Sequence, residues 1–123
     1  MPSDKIVLNK FHIIHESVLL ILDRFKDVNE PDDFMTTPYG VMKLDSIAMR
    51  LQSIGEPIIK IDKYRPELLG KYNDVDWNDI IKFRDFISHH YDLINPEIIY
   101  NACKVKLPAL KTTIEKIIKE NFK

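Results

Sequence analysis

Apolar residues recur at helical spacing along most of the chain. Val7, Phe11, Ile14, Val18, Ile21 and Phe25 step by four, three, four, three and four, which predicts a first helix over about residues 4–26. Leu44, Ile47, Leu51, Ile54, Ile58 and Ile61 repeat the same rhythm and predict a second, opened by Thr37 as N-cap with Pro38 in the first helical position. Pro57 lies inside that seam, so a kink or break is expected near Gly55, Glu56 and Pro57. Residues 29–37 and 64–76 read as connectors, the latter with one short helical turn from Pro66.

Asp76 supplies a cap for a third main helix from Trp77 to about Tyr91, with Asp79 favouring its N-terminal end. Asn95, Pro96 and Glu97 mark the start of a last helix that runs to about Glu120. Ile98, Ala102 and Val105 are expected to line its first half, and Leu107, Leu110, Ile114 and Ile117 its second, with a bend at Pro108. No stretch alternates with period two. The pattern therefore describes an all-α protein, an antiparallel bundle of four to five helices in which each seam covers its neighbours.

Size and composition narrow the possibilities. The 123 residues suit a single domain spanning 1–123, and 45% hydrophobic residues supply a packed core. One cysteine, Cys103, excludes a disulfide framework and a multi-Cys zinc site, and three glycines leave little for a phosphate-cradling loop. No apolar run approaches the roughly 20 residues that span a bilayer, and residues 1–10 lack a signal-peptide stretch, so a cytoplasmic protein without membrane contact is expected. Net charge is −1, against a purely electrostatic nucleic-acid binder. Charge is uneven, however: between 104 and 123 six lysines face two glutamates. That strip fits a steering surface for RNA or an ordinary solvated helix face.

Chemistry concentrates on the third helix. At about 100° per residue, Phe83, Phe86, Ile87, Ile80 and His90 share one arc, which predicts an apolar side facing the core. Trp77, Asp85, Ser88, His89 and Tyr91 group around Arg84 on the other, with Ile81 as an aliphatic intruder. Asp85 and His89 are four apart, so the carboxylate can orient the imidazole. A guanidinium that grips phosphate beside an imidazole that moves a proton suffices to cleave RNA without metal, the 2′-hydroxyl attacking the adjacent phosphorus. On spacing alone the same residues also describe a common surface patch.

The run Arg84-Asp85-Phe86-Ile87-Ser88-His89-His90-Tyr91 resembles the signature of the HepT-like toxins of the HEPN superfamily: arginine, a polar residue, three residues, histidine, any residue, tyrosine. The likeness extends to Arg50–Glu56, to Val75-Asp76-Trp77, and to Asn95–Tyr100 with Leu107-Pro108-Ala109-Leu110. Two departures stand out: Pro57 follows Gly55-Glu56, and a second histidine separates His89 from Tyr91.

The resemblance implies a metal-independent endoribonuclease without cofactor, the toxin of a type VII toxin–antitoxin pair. It implies a homodimer whose motif helices meet at a cleft, with Arg84 and His89 catalytic and Asp85 and Ser88 in support. It further implies a minimal nucleotidyltransferase antitoxin that transfers AMP to Tyr91, placing negative charge and bulk where RNA would bind. The rival reading is a non-catalytic helical adaptor that binds a nucleotidyltransferase and presents substrate to it, with Asp85 merely pairing with Arg84.

Other residues carry weaker signals. His12, His15 and Glu16 superficially suggest metal ligands but flank the apolar seam and fit edge packing better. Cys103 reads as buried and inert, and Trp77 as a packing or dimer-contact residue before a base-stacking one. Lys82 joins the C-terminal lysines as a steering charge or plain surface. A dimer would leave an apolar stripe uncovered, to which the second-helix seam and the start of the third helix are expected to contribute.

Overall fold

A computed structural model describes the backbone of residues 2–89 and 95–122; the side chains of Pro2, Ser88 and His89 lie outside the described set. Helix α1 (Pro2–Phe25), α2 (Pro38–Tyr64), α3 (Trp77–His89), α4 (Pro96–Asn101) and α5 (Leu107–Asn121) follow in order, with no strand among the described residues. The fold is all-α, as the periodicity predicts. Val7, Phe11, Ile14, Val18 and Ile21 are fully buried, and the whole α2 seam from Leu44 to Ile61 is buried against them. Phe25, at the end of the first seam, is only partly buried.

Side-chain pairs fix the helix directions. Arg65, just past α2, bonds Asp4 near the start of α1 at 3.2 Å, while Lys43 near the start of α2 reaches Asp27 just past α1 at 3.7 Å. Phe11 packs on Phe122, and His15 bonds Glu115 at 2.8 Å, so α5 also runs against α1. Both pairs are antiparallel.

The connectors hold more structure than their composition suggests. Pro31–Phe34 forms a 3-10 turn that drops Phe34 fully into the core beside Phe25. Thr37 caps α2 by accepting the Gly40 amide at 2.9 Å. Gly40 lies so close under the turn that a Cβ there would stand 2.0 Å from the Asp33 carbonyl oxygen. Of the expected kink or break at Pro57, a break does not occur: helix α2 is continuous through it. A proline has no amide hydrogen, so the carbonyl of Ser53, four residues back, loses its helical donor there.

Pro108 acts differently. Instead of a simple bend, the chain forms a π-helical stretch, Ala102–Lys106, in which the Leu107 amide reaches back five residues to Ala102. The wide turn rotates the preceding helix. Ile98 and Val105, expected inward, are 41% and 59% exposed, while Ile99, Ala102 and Cys103 are buried. The inward residues 99, 103, 107 and 110 step by four, four and three, two successive fours marking the extra residue. Leu107, Leu110, Ile114 and Ile117 are buried as predicted.

Candidate functional site

Helix α3 begins where Asp76 accepts the Asp79 amide at 3.0 Å. Trp77 is pinned at once, its indole N–H donating to the Tyr72 carbonyl at 3.0 Å. That bond makes the ring a packing element. The inward stripe of α3 is Ile80 and Ile87, flanked by Trp77, Ile81 and Phe83. Phe86, expected in the core, is 37% exposed.

The face is therefore rotated from the sequence reading. Arg84 falls between Ile80 and Ile87 on the side turned toward α2, and the expectation that it projects outward is corrected. Its side chain is 28% exposed. A cationic residue can occupy an interhelical face because its aliphatic stem packs while its head reaches the edge. Here the opposing residue is Gly55: a Cβ built on it would meet the Arg84 Cβ, Cδ and Cγ at 2.7, 2.8 and 3.0 Å. Any larger residue would occupy the space of the arginine stem.

At the edge the guanidinium is braced from two sides. Asp85 accepts from Nε at 3.0 Å and also from Nη2 through the same oxygen. Glu56 accepts from Nη1 at 2.6 Å. Both are charge-assisted bonds. The Asp85 hydrogen bond pushes the Arg84 pKa further up against the opposing effect of burial, and the Asp85 and Glu56 charges add smaller upward contributions. Three of the five guanidinium hydrogens are thus engaged among the described residues.

Asp85 holds Arg84 through its Oδ1; the expected Asp85–His89 pairing falls on a side chain outside the described residues. The His89 and Ser88 side chains, and all of His90 and Tyr91, lie outside the described residues. The structure thus brings together two of the five predicted site residues, Arg84 and Asp85, and adds Gly55 and Glu56. A glycine inside an otherwise strong helical seam is a signal of close approach. Glu56 lies 28 positions from Arg84, and no local pattern could pair them.

The remaining candidates have structural uses. Cys103 is buried, and burial pushes its thiol pKa up to about 12. His15 bonds Glu115, while His12 is exposed. Several C-terminal lysines are already engaged: Lys106 with Asp79 at 2.6 Å, Lys111 with Glu115 at 3.0 Å, and Lys104 and Lys116 over the rings of Tyr100 and Tyr72. The strip is thus a weaker source of free positive charge than its composition suggests. The α2 seam, expected to help form an exposed stripe, is spent on the intramolecular core. No helix among the described residues is long and apolar enough to cross a membrane.

Comparison with known proteins bears on the family. The family model described as "Ribonuclease HepT-like" matches residues 14–117. A Methanocaldococcus jannaschii protein named provisionally as the RNase MJ0127 is 32% identical over 103 residues, covering 81% of this chain and 83% of the relative. One from Caldanaerobacter subterraneus subsp. tengcongensis, named provisionally as the RNase TTE0752, is 28% identical over 109 residues, covering 89% and 90%. No solved structure matches the chain. The match over residues 14–117, which spans most of this all-α chain, places it in the ribonuclease HepT-like family, an endoribonuclease class.

Proposed function

We propose that the protein is the endoribonuclease toxin of a toxin–antitoxin pair, cleaving RNA without a metal ion at a cleft between two copies of the chain. The observation that carries this reading is Arg84. It is a guanidinium seated by Gly55, oriented by Asp85 and Glu56, on the helix whose last described turn bears His89. Nothing in the packing of the core requires an arginine at that place, since an aliphatic residue would fill the interface without a charge to neutralise.

In the proposed reaction the ribose 2′-oxygen attacks phosphorus and the bond to the 5′-oxygen of the next nucleotide breaks. His89 moves a proton between these oxygens and solvent, and Arg84 offsets the charge that builds on the phosphoryl oxygens. Because the Arg84 pKa is raised, the guanidinium stays cationic over the whole working range. Ser88 offers a hydroxyl to the same phosphate. Tyr91 completes the motif and is the proposed acceptor of AMP from a minimal nucleotidyltransferase antitoxin. Modification there would repel RNA from Arg84.

The paired state of Arg84 is the one observation that favours the adaptor reading, because two carboxylates already satisfy much of its charge. One experiment separates the two. Purified protein incubated with RNA in EDTA is expected to degrade it, with Arg84→Ala and His89→Ala inactive. Intact wild-type protein that leaves RNA uncut yet binds a nucleotidyltransferase tightly would establish the adaptor. For the modification, mass should rise by AMP units with antitoxin, ATP and magnesium, and Tyr91→Phe should not gain it.

A further inference from the structure

A pair of arginines outside the motif lies on the other flank of α2. Arg24, near the end of α1, and Arg50, on α2, line one cleft of about 470 Å³ together with Ser46, Met49 and Ser53. Both arginines are half-buried, and neither has an ion-pair partner among the described residues. That contrasts with Arg65 and Arg84, each held by two carboxylates. An arginine that gives up part of its hydration without a partner is costly to keep, and an anion supplied from outside removes the cost.

The surroundings favour a polyanion. The adjoining groove is lined by Asp23 and Asp27, but Lys26 and Lys43 already answer them, at 3.3 and 3.7 Å. The positive charge of Arg24 and Arg50 is left uncompensated. Tyr39, 60% exposed in the same groove, presents a ring with the Lys43 ammonium 4.8 Å from its centre. Cations interleaved with an exposed aromatic form the surface that single-stranded nucleic acid uses, phosphates on the cations and a base on the ring.

The cleft is also connected to the motif arginine. Arg50, Ser53 and Glu56 are spaced three apart, so they form an oblique ridge across α2. It leads from the α1 side, where Arg24 stands, to the α3 side, where Glu56 holds Arg84. Six residues of helix advance about 9 Å along the axis, a span that a few linked nucleotides cover. Ser53 donates its hydroxyl to the Arg50 carbonyl at 2.7 Å, leaving the hydroxyl oxygen and its own carbonyl as acceptors along the ridge.

We propose that the Arg24–Arg50 cleft is a phosphate-binding subsite for single-stranded RNA whose scissile phosphate lies at Arg84, with Tyr39 stacking a flanking base. The subsite rests on the ribonuclease reading for its register, but not for its affinity. The test is binding of a fluorescent 2′-O-methyl RNA oligonucleotide, which cannot undergo attack by its 2′-oxygen, over a range of salt. The paired Arg24→Gln and Arg50→Gln variant is expected to bind about 20-fold more weakly at 0.1 M salt, with the salt slope reduced by about 1.4, the change expected when two phosphates of a single strand are no longer neutralised. KM for a cleavable RNA should rise with Kd. The Arg24→Lys and Arg50→Lys pair retains the charges and should recover most of the slope, which also controls for folding.

Unchanged binding and slope in the Gln pair, with wild-type cleavage intact, would overturn the subsite alone. A wild-type protein that binds the oligonucleotide through these arginines but cuts no RNA would overturn the nuclease reading and leave the subsite standing. Loss of self-association or of antitoxin binding in the Gln pair, with RNA affinity unchanged, would show the cleft to be a protein-docking surface instead.

Discussion

Gly55 and Arg84 share one volume: the arginine stem lies where a Gly55 side chain would begin, 2.7 Å from the position of its Cβ. The nearest Arg84 atom is its own Cβ, which is fixed to the α3 backbone. Gly55→Ala therefore forces α2 and α3 apart instead of merely swinging a flexible head. Replacing a mid-helix glycine gains up to about 1 kcal/mol, whereas overpacking costs about 1–3 kcal/mol. The expected result is a small net loss of stability by denaturant titration, together with a large fall in RNA cleavage because the guanidinium is displaced.

The two carboxylates on Arg84 should behave differently. Asp85 holds two edges of the fork through one oxygen, so Asp85→Asn is expected to loosen its orientation and lower kcat. Glu56 reaches the opposite nitrogen from an exposed position and competes with phosphate for it. Glu56→Gln should tighten RNA binding while lowering its salt dependence little. Equal effects of the two variants on Kd would show that they do not divide in this way.

Gly40 makes a sharper contact with a different outcome. Its Cβ would fall on the Asp33 backbone oxygen, which cannot move without unseating the Phe34 turn. Gly40→Ala should cost about 1–3 kcal/mol or more in denaturant titration, and cleavage per folded molecule should be retained. A variant as stable as the wild type would mean that the 3-10 turn is not a rigid part of the fold.

Stability should also depend on Glu115. His15 and then Lys111 hydrogen-bond its carboxylate and hold its pKa below the ordinary glutamate value. A depressed carboxylate pKa stabilises the fold above the unfolded value, and that contribution disappears as pH falls through the folded one. Glu115→Gln should lower the urea midpoint at neutral pH, and the difference should close as pH falls below the ordinary glutamate range. Because the pair is partly exposed, added salt should narrow the gap too.

Cys103 offers a folding probe. With its thiol pKa pushed up to about 12 by burial, almost no thiolate exists at about pH 8. Iodoacetamide should label it only after denaturation, and labelling of native protein would place the thiol at the surface.

The seams of α1, α2 and α5 were legible because each repeats one period over several turns, and burial follows that period. The Phe34 turn was not legible, since the turn chemistry at Pro31 and Pro38 hides one aromatic that contributes to no seam. On α3 the apolar count misled. Ile80, Phe83 and Ile87 pack on the core as the arc predicts, but Phe86, placed with them, is exposed while Arg84 takes a place facing α2. The reason is Gly55, whose missing side chain admits an arginine to a face that otherwise takes aliphatics. Of the candidate site, Arg84 and Asp85 could be read from the motif, whereas Glu56 could be found only in three dimensions.

The widened coil at Ala102–Lys106 has a consequence for chain length. It holds one more residue than an ordinary turn, while the surfaces before and after it are already locked into the interior. Loss of a single amino acid there would tighten the coil to normal pitch and leave Ile99 and Leu107 in place. The segment is thus a tolerance joint, where this chain could lose one position without re-threading the bundle.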